Sequence, residues 1–200
     1  MTRIGLISDT HGYLDEAVFE HFKNCDEVWH AGDFGAAPSI FPKVEENLED
    51  EVRNKLKNEF EDDICVWQEK YFSKKLNKKI IFRGVYGNID DASIREVYPE
   101  KLFFTVEKVN VFMQHIGGYP GRYSKGVKDD IMVNKSKLFI SGHSHILKIM
   151  YDDRLQCLHM NAGAAGKHGW HKIRTLIRFA IDGDVMKDCE VIELDGLSTG

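Results

Sequence analysis

Short runs of apolar, largely β-branched residues recur along the chain, and each ends in glycine or polar residues. Runs of this length between turn-forming residues predict buried β-strands. We expect strands at 3–8, 27–30, 79–85, 138–141, 147–151, 155–160, 173–181 and 185–194, and a hairpin formed by 102–107 and 111–114. Apolar residues at helical spacing predict helices over 14–24 and 124–133. Residues 120–123 predict a turn, and the glycine-rich stretch 161–166 predicts an ordered loop.

The segment 39–78 has a different character, since it contains no glycine and is dense in Glu, Asp, Lys and Asn. Its apolar residues recur every four positions from Val44 to Ile64, which predicts helix. A four-residue step exceeds the 3.6-residue period, so the apolar stripe winds around the helix. We therefore predict a break near 61–63 or packing on both sides. We hypothesise that the stripe packs partly on a second copy, forming a homodimer; a lid or a solvated face are the alternatives.

Composition narrows the class of protein. The 200 residues, 42% of them hydrophobic, suffice for one core, so we expect one domain over 1–200 with a helical insertion at about 39–78. A net charge of −5 argues against general nucleic-acid binding, which usually needs a basic surface. No apolar run approaches the roughly 18 residues of a membrane span, and the predicted first strand leaves no room for a signal peptide. Four cysteines without a C-x-x-C pair fit a reducing compartment, so we expect a cytoplasmic protein that binds no membrane.

Side chains that commonly bind metals follow several predicted strands. Asp9 and His11 come directly after the first strand, and their spacing in an extended loop lets both reach one ion. Three later strands end in glycine followed by such a residue: Gly32-Asp33, Gly87-Asn88 and Gly142-His143. Glycine permits a sharp turn and removes bulk beside a metal. Each pair alone is also typical of an ordinary turn, but ligands gather at the carboxyl ends of strands in α/β sheets, so together they predict a metal centre.

The residue types indicate which metals this centre would bind. The predicted set combines carboxylate, amide and imidazole side chains and contains no cysteine: Asp9, His11, Asp33, Asn88, His115, His143 and His145. Such donors suit Mn, Fe, Ni or Zn in a reactive site better than a structural zinc. Seven donors exceed what one ion with open positions takes. Two ions sharing a carboxylate use them better, and such pairs acidify a bridging water and clamp a phosphoryl group during transfer. By contrast, His30 lies inside a predicted strand and is expected in the core or supporting the site.

In this order, the motifs D-x-H, G-D, G-N-x-D, H and G-H-x-H resemble the calcineurin-like metallophosphoesterases over roughly residues 1–195. Small bacterial and archaeal phosphodiesterases are the most similar group within that superfamily. The resemblance implies a four-layer α/β/β/α sandwich of two packed mixed β-sheets flanked by helices. It also implies two divalent transition-metal ions, of which manganese is favoured.

The resemblance also implies roles for individual residues. One ion would be held by Asp9, His11, Asp33 and His145, and the other by Asp33, Asn88, His115 and His143, with Asp33 bridging. Among these, Asp33, Asn88 and His115 are the expected catalytic residues. Asp90 is expected to orient a histidine or a loop amide from behind the ligands.

Three departures from the family pattern stand out. Many relatives carry a histidine after the Gly-Asn pair, where it serves as a general acid or a phosphate contact, and this chain has Ile89. The usual N-P-G-S loop is replaced by Asn161-Ala162-Gly163-Ala164. The segment 39–78 is longer than the small relatives need. The first departure leaves open what protonates the leaving group.

We therefore expect hydrolysis of small phosphodiesters through attack by a metal-bridging hydroxide. A nucleotide or protein phosphomonoesterase is the alternative, and so is a non-catalytic protein-binding scaffold, because a retromer subunit shares this fold. Six basic residues could each contact a phosphate or simply be solvated: Arg122, Lys125, Lys167, His168, His171 and Arg174.

Overall fold

The structure is a computed structural model that describes residues 1–14, 16–35 and 64–194. Four helices lie in these ranges: α1 (Glu16–Phe22), α2 (Ile64–Leu76), α3 (Ala92–Val97) and α4 (Val127–Val133). The first six strands are β1 (Thr2–Ile7), β2 (Glu27–His30), β3 (Ile81–Gly84), β4 (Lys101–Val106), β5 (Val109–Gln114) and β6 (Gly118–Tyr119). The other six are β7 (Arg122–Tyr123), β8 (Leu138–Ser141), β9 (Leu147–Asp152), β10 (Cys157–Ala162), β11 (Thr175–Asp182) and β12 (Val185–Glu193).

Ten of these strands form two mixed five-stranded sheets. The first has the order β12-β11-β1-β2-β3, in which β1, β2 and β3 run parallel and β11 and β12 pair antiparallel. The second has the order β4-β5-β8-β10-β9, with β5, β8 and β10 parallel in its centre and an antiparallel strand at each edge. Each sheet therefore has three neighbouring parallel strands whose carboxyl ends meet at one rim.

The two sheets pack face to face across one apolar core. Because side chains alternate along a strand, Ile4 and Leu6 enter this core while Ile7 points to the opposite face. Trp29 is fully buried between the sheets, with its ring edge-on to Phe104 and Phe179. This packing fixes the relative position of the two rims.

Helices cover both outer faces. On the first sheet, Ile7 packs in a cluster with Phe22 of α1 and Phe72 of α2. On the second sheet, Phe112 and Phe139 pack against Val127 and Ile131 of α4. The architecture is thus the expected four-layer α/β/β/α sandwich. Among the described residues, the helices are too short or too polar for any of them to cross a bilayer.

Most predicted elements are present, with three differences. Helix α3 was not expected from the sequence; Asp91 caps it by accepting hydrogen bonds from the backbone N–H groups of Ser93 and Ile94. Strand β10 begins two residues later than predicted and includes Asn161 and Ala162, which were expected in the following loop. The predicted turn at 120–123 is the end of a small β6–β7 hairpin. The proposed break at 61–63 and most of the winding stripe lie outside the described residues.

Candidate metal centre

All seven predicted metal-binding residues come together at the rim where the parallel strands of both sheets end. The first sheet supplies Asp9 and His11 after β1, Asp33 after β2 and Asn88 after β3. The second supplies His115 after β5, and His143 and His145 after β8. Since the carboxyl ends of parallel strands open at the same edge of a sheet, residues distant in sequence become neighbours.

The backbone is unusual at these positions. Ten described non-glycine residues have positive φ, and half of them belong to the predicted set: Asp9 (53°), His11 (47°), Asp33 (56°), His143 (67°) and His145 (57°). Left-handed conformations are uncommon outside glycine and each costs of order 1 kcal/mol. Hydrogen bonds between loops hold them, including Asp9 N–H to Gly32 O and His11 N–H to Asp33 O, both 3.0 Å. The strained loops aim the side chains into one space.

The first group of donors consists of Asp9, His11 and His145, whose donor atoms lie within 4.8 Å of one another. His145 Nε2 is 3.2 Å from Asp9 Oδ1 and 3.1 Å from His11 Nε2. Asp9 is fully buried and accepts a hydrogen bond from the Ser8 hydroxyl. The buried carboxylate is thereby fixed in position.

The second group consists of Asp33, His115 and His143, with donor atoms again within 4.8 Å of one another. His115 Nε2 is 3.2 Å from Asp33 Oδ2 and 3.2 Å from the amide oxygen of Asn88. Asp33 Oδ2 also lies 3.9 Å from His11 Nε2 of the first group. Asp33 therefore stands between the two groups, the position expected of a shared ligand.

The donor arrangement fits divalent cations. His115 Nδ1 donates to the carbonyl oxygen of Ala31 at 2.7 Å, so in the neutral ring the lone pair of Nε2 faces the oxygens of Asp33 and Asn88. Facing lone pairs need a proton or a cation between them. Two donors bound to one zinc-sized ion at about 2.0–2.2 Å lie roughly 3–3.5 Å apart, and the separations of 3.1 and 3.2 Å fall in this range.

The pKa shifts of these side chains reflect a balance between burial and the neighbouring charged groups. Burial lowers the pKa of His115, but the hydrogen bond that the protonated ring donates to Asp33, together with the nearby carboxylate of Asp9, outweighs it, and the net pKa is raised. Burial raises the pKa of Asp33, but the hydrogen bond and charge of His115, the N–H of Ile89 and the nearby His11 together outweigh it, and the net pKa is lowered. Asp9 raises the pKa of His145 through a hydrogen bond, whereas burial lowers the pKa of His11. Metal ions and protons compete for the same imidazole nitrogens.

Two of the motif glycines are required because other groups come too close for a side chain. A Cβ on Gly87 would lie 2.0 Å from Asp33 Oδ1 and 2.3 Å from its backbone nitrogen. A Cβ on Gly142 would lie 2.1 Å from Ser8 Oγ and 2.9 Å from Asp9 Oδ2. This confirms the expectation that glycine removes bulk at the centre.

Asp90, which the sequence analysis expects to orient a histidine or a loop amide, is bonded to backbone N–H groups of two loops. Its Oδ2 accepts backbone N–H bonds from Asp33 at 3.0 Å and Gly87 at 2.7 Å, and its Oδ1 accepts one from Gly35 at 3.0 Å. Burial raises the pKa of Asp90 despite these hydrogen bonds. One carboxylate thus joins the loops after β2 and β3, which carry Asp33 and Asn88.

His30 is a core residue, in agreement with the sequence analysis. Its ring is stacked on Phe34 with 3.8 Å between centroids. Its Nδ1 accepts from the backbone N–H of Gly32, and its Nε2 bonds the hydroxyl of Thr10 at 2.9 Å. Complete burial lowers its pKa to about 3, so the ring is neutral.

The loop 166–171 borders the first donor group. The ring of His168 lies 4.9 Å from that of His11, and the ring of His171 lies 5.2 Å from that of His145. Of the other four basic residues considered from the sequence, Arg122 and Lys125 are exposed near α4, whereas Lys167 and Arg174 lie against the ring of Tyr13.

Sequence reasoning missed two supporting residues. Ser8 holds Asp9, as described above. Asn161 is buried and donates to Gly142 O at 2.8 Å and to the hydroxyl of Ser144 at 3.2 Å, which fixes the loop between His143 and His145. The sequence did mark Asn161 as the first residue of the N-P-G-S-like loop. Because that loop carries no predicted ligand, its position did not indicate which groups Asn161 would bind.

The sequence matches the model of the calcineurin-like phosphoesterase superfamily domain over residues 2–56 and 62–184. The chain belongs to this superfamily. In sequence, no curated protein gives a significant match.

Several solved structures share the fold of this superfamily member. A Streptococcus pneumoniae protein described as a predicted phosphoesterase has a TM-score of 0.57 at 16% identity, covering 96% of this chain and 89% of its own. Zinc-complexed Vps29 from Entamoeba histolytica has a TM-score of 0.61 at 11% identity, covering 96% and 99%. Vps29 from Chaetomium thermophilum has a TM-score of 0.64 at 9% identity, covering 97% of both. At these identities the likeness concerns the fold.

Proposed function

We propose that this calcineurin-like protein hydrolyses phosphodiester bonds with two divalent transition-metal ions, manganese being the favoured metal. The observation that carries the proposal is the position of Asp33 between two complete donor groups. Asp9, His11 and His145 would hold one ion together with Asp33, and Asp33, Asn88, His115 and His143 would hold the other. Such ions lower the pKa of water and neutralise charge on phosphoryl oxygens.

The protein's own groups would orient and balance this centre. His115 is fixed by its hydrogen bond to Ala31 O, which keeps Nε2 directed at the donors of the second group. Asn88 contributes an oxygen without charge, so the centre carries less negative charge toward an anionic phosphoester. Asp33 Oδ1 accepts a hydrogen bond from the N–H of Ile89 at 3.0 Å, and Oδ2 is the oxygen that faces both donor groups.

Phosphodiesters suit this site better than monoesters for an electrostatic reason. A monoester carries about two negative charges near neutral pH, whereas a diester carries one. The guanidinium group of Arg95 is directed at the protein itself, since it donates to the backbone oxygens of Asn88 and Asp90 at 3.1 and 2.7 Å. The position after Asn88 holds an isoleucine in place of a basic side chain.

A non-catalytic scaffold remains the second candidate, supported by the fold likeness to two Vps29 structures. One of them contains zinc, so metal binding alone does not separate a scaffold from an enzyme. The complete set of seven donors favours the enzyme.

The test compares hydrolysis of bis-p-nitrophenyl phosphate and p-nitrophenyl phosphate in the presence of Mn²⁺. We expect the diester to react faster, and His115→Ala to lower kcat/KM by about 10²-fold or more, the scale of losing a catalytic group. His21→Ala, which changes a histidine on α1, is the matched control and should retain activity. Faster monoester hydrolysis would support the phosphomonoesterase instead. If neither ester is hydrolysed with Mn²⁺, or when Fe²⁺, Ni²⁺ or Zn²⁺ replaces it, the scaffold is supported.

A further inference from the structure

Three exposed isoleucines lie next to predicted ligands of the candidate metal centre, and we call them the isoleucine collar: Ile89, Ile116 and Ile146. Each directly follows a predicted ligand, namely Asn88, His115 and His145. Consecutive Cα atoms are about 3.8 Å apart, so each isoleucine begins beside the centre. Their side chains are 50%, 43% and 61% exposed. Seven residues directly follow a predicted ligand, and four of them are exposed: the three isoleucines and Ser144.

Trp170 stands at the same border and is completely exposed. Its loop is held against the centre, because Gly166 N–H donates to Asp9 O at 3.1 Å and the His171 ring bonds Gly166 O at 3.0 Å. The neighbouring Gly169 lies so close to His145 that a Cβ there would come 2.2 Å from Nδ1. The indole is therefore one residue away from a direct contact with a predicted ligand.

This exposure does not stabilise the fold, since burial in the core is what makes apolar side chains favourable. Single exposed apolar residues are common on protein surfaces. Here, however, four exposed apolar residues lie next to a predicted ligand or next to a residue that contacts one. Such a grouping is typical of ligand sites, which combine apolar walls with a few polar groups. Two cations near the collar contact the protein itself: Arg95 donates to backbone oxygens, and Lys167 lies over Tyr13, 4.2 Å from the ring centroid.

We infer that the substrates are phosphodiesters with a large apolar alcohol group, which lies on the isoleucine collar and Trp170 while the phosphate meets the metal centre. This inference rests on the proposed function and names its substrate class. The ester groups of any phosphodiester bound at the centre must extend outward past the residues that border it. A border of isoleucine and tryptophan favours hydrocarbon over sugar, because it offers apolar area and few hydrogen-bond donors.

The first test uses two diesters with the same leaving group, methyl p-nitrophenyl phosphate and hexyl p-nitrophenyl phosphate. Each buried CH₂ contributes about 0.8 kcal/mol, roughly fourfold, so partial burial of five should favour the hexyl ester by about tenfold or more in kcat/KM. Trp170→Ala combined with Ile146→Ala should reduce this preference to about threefold or less. The control is Val133→Ala, which removes an 80% exposed apolar side chain on α4 and should keep the preference.

The second test measures binding without turnover. Monohexyl methylphosphonate, an uncleaved analogue, should shift the tryptophan emission to shorter wavelength, and monomethyl methylphosphonate should not. The shift should disappear in Trp170→Phe, which keeps the other two tryptophans, Trp29 and Trp67.

The outcomes separate this inference from the proposed function. If both diesters are hydrolysed with equal kcat/KM and the emission does not shift, the inference is wrong and the proposed function stands. If neither is hydrolysed, the proposed function fails, and the emission shift still decides whether the collar binds apolar phosphoesters. A concentration-dependent dimer that Trp170→Ala dissolves would also overturn the inference, because the collar would then be covered by a second copy.

Discussion

At the residue scale, the site depends on a few buried groups that fix the backbone of the ligand-bearing loops. Asp90 does this with its two oxygens, which together accept three backbone N–H groups. The neighbouring Asp91 is also an N–H acceptor, but it is exposed and caps helix α3. The two adjacent aspartates therefore allow a matched comparison between supporting the site and supporting a helix.

We predict that Asp90→Asn weakens metal binding by about 10–100-fold, the usual cost of losing a group that orients ligands. The new NH₂ group would face at least one backbone N–H that now donates to a carboxylate oxygen, so the loop of Asp33 must move. Asp91→Asn should leave metal affinity unchanged, because asparagine also caps helices well. Metal titration followed by calorimetry measures both; equal affinities would show that Asp90 does not orient the ligands.

Ile89 determines a second prediction, which concerns proton transfer. A positioned general acid typically contributes about 10²–10⁴-fold, and isoleucine cannot donate a proton. We therefore expect aryl diesters to react much faster than alkyl diesters, with a steep negative slope of log rate against leaving-group pKa. Ile89→His should flatten this slope if the imidazole reaches the leaving oxygen. A shallow slope in the unchanged protein would instead indicate that another residue already serves as the acid.

His159 provides a pH test of the core away from the metal ligands. Its Nε2 bonds Ser141 Oγ at 2.9 Å, and its buried Nδ1 has no partner among the described residues. Burial, and to a smaller extent Lys148, lowers the pKa of His159 to about 4. The unfolded chain, with a histidine pKa of about 6.5, binds a proton between these values that the folded chain does not. His159 therefore does not lower the free energy of unfolding above pH 6.5, and it lowers it progressively as the pH falls toward 4.

We expect this one histidine to account for a loss of about 3 kcal/mol in the free energy of unfolding between pH 7 and pH 4. His159→Leu should remove that part of the slope. The measurement is urea unfolding of both proteins across this range; His30 contributes a loss of the same sign to both and cancels in the difference. Parallel curves would mean that His159 is already protonated in the folded protein.

What could be predicted at this scale was the set of candidate donors that meet at the rim, because residue type and position after a strand are visible in the sequence; that they bind metal stays a prediction. The left-handed backbone at Asp9, Asp33 and His143 was not, since aspartate and histidine adopt it only when other loops impose it. The hydrogen bond from Ser8 to Asp9 was likewise hidden, because any serine could donate there.

At the scale of elements, helix α2 ties the charged segment to the domain. Phe72 is buried, with its ring 5.2 Å from that of Phe19 and 5.5 Å from that of Phe82. Gln68 accepts a hydrogen bond from the hydroxyl of Tyr98 at 2.8 Å, just beyond the end of α3. The end of the predicted insertion is thus part of the core packing.

We predict that Phe72→Ala lowers the free energy of unfolding by about 3–5 kcal/mol, the usual cost of removing a buried aromatic ring. Lys74→Ala, on the exposed side of the same helix, should change it by about 0.5 kcal/mol or less. Urea unfolding measures both. Similar small changes would mean that α2 is not required by the core.

Strands were predicted well because each is a compact apolar run between glycine or polar residues. Helix α3 was not, since six residues give too little periodicity and only the capping aspartate marks its start. The end of β10 was placed early because Asn161 and Ala162 precede glycine and look like a loop, although the ladder with β9 continues through both.

At the scale of the whole molecule, the site exists because two sheets present their parallel strand ends at one rim. The family resemblance predicted this architecture, whereas local patterns predicted only separate strands. The homodimer stays a prediction, because most of the winding apolar stripe lies outside the described residues. Sedimentation at micromolar concentration tests it, and a monomer would favour the lid.

The central claim is that Asp33 serves two ions at once, and counting metal ions tests it most directly. Elemental analysis of the chain purified without chelator should give close to two transition-metal ions per chain, together with activity on bis-p-nitrophenyl phosphate. Asp33→Ala should lower the occupancy of both positions, and His145→Ala that of chiefly one. A fully active protein with a single ion, or an Asp33→Ala variant that keeps both, would contradict the account.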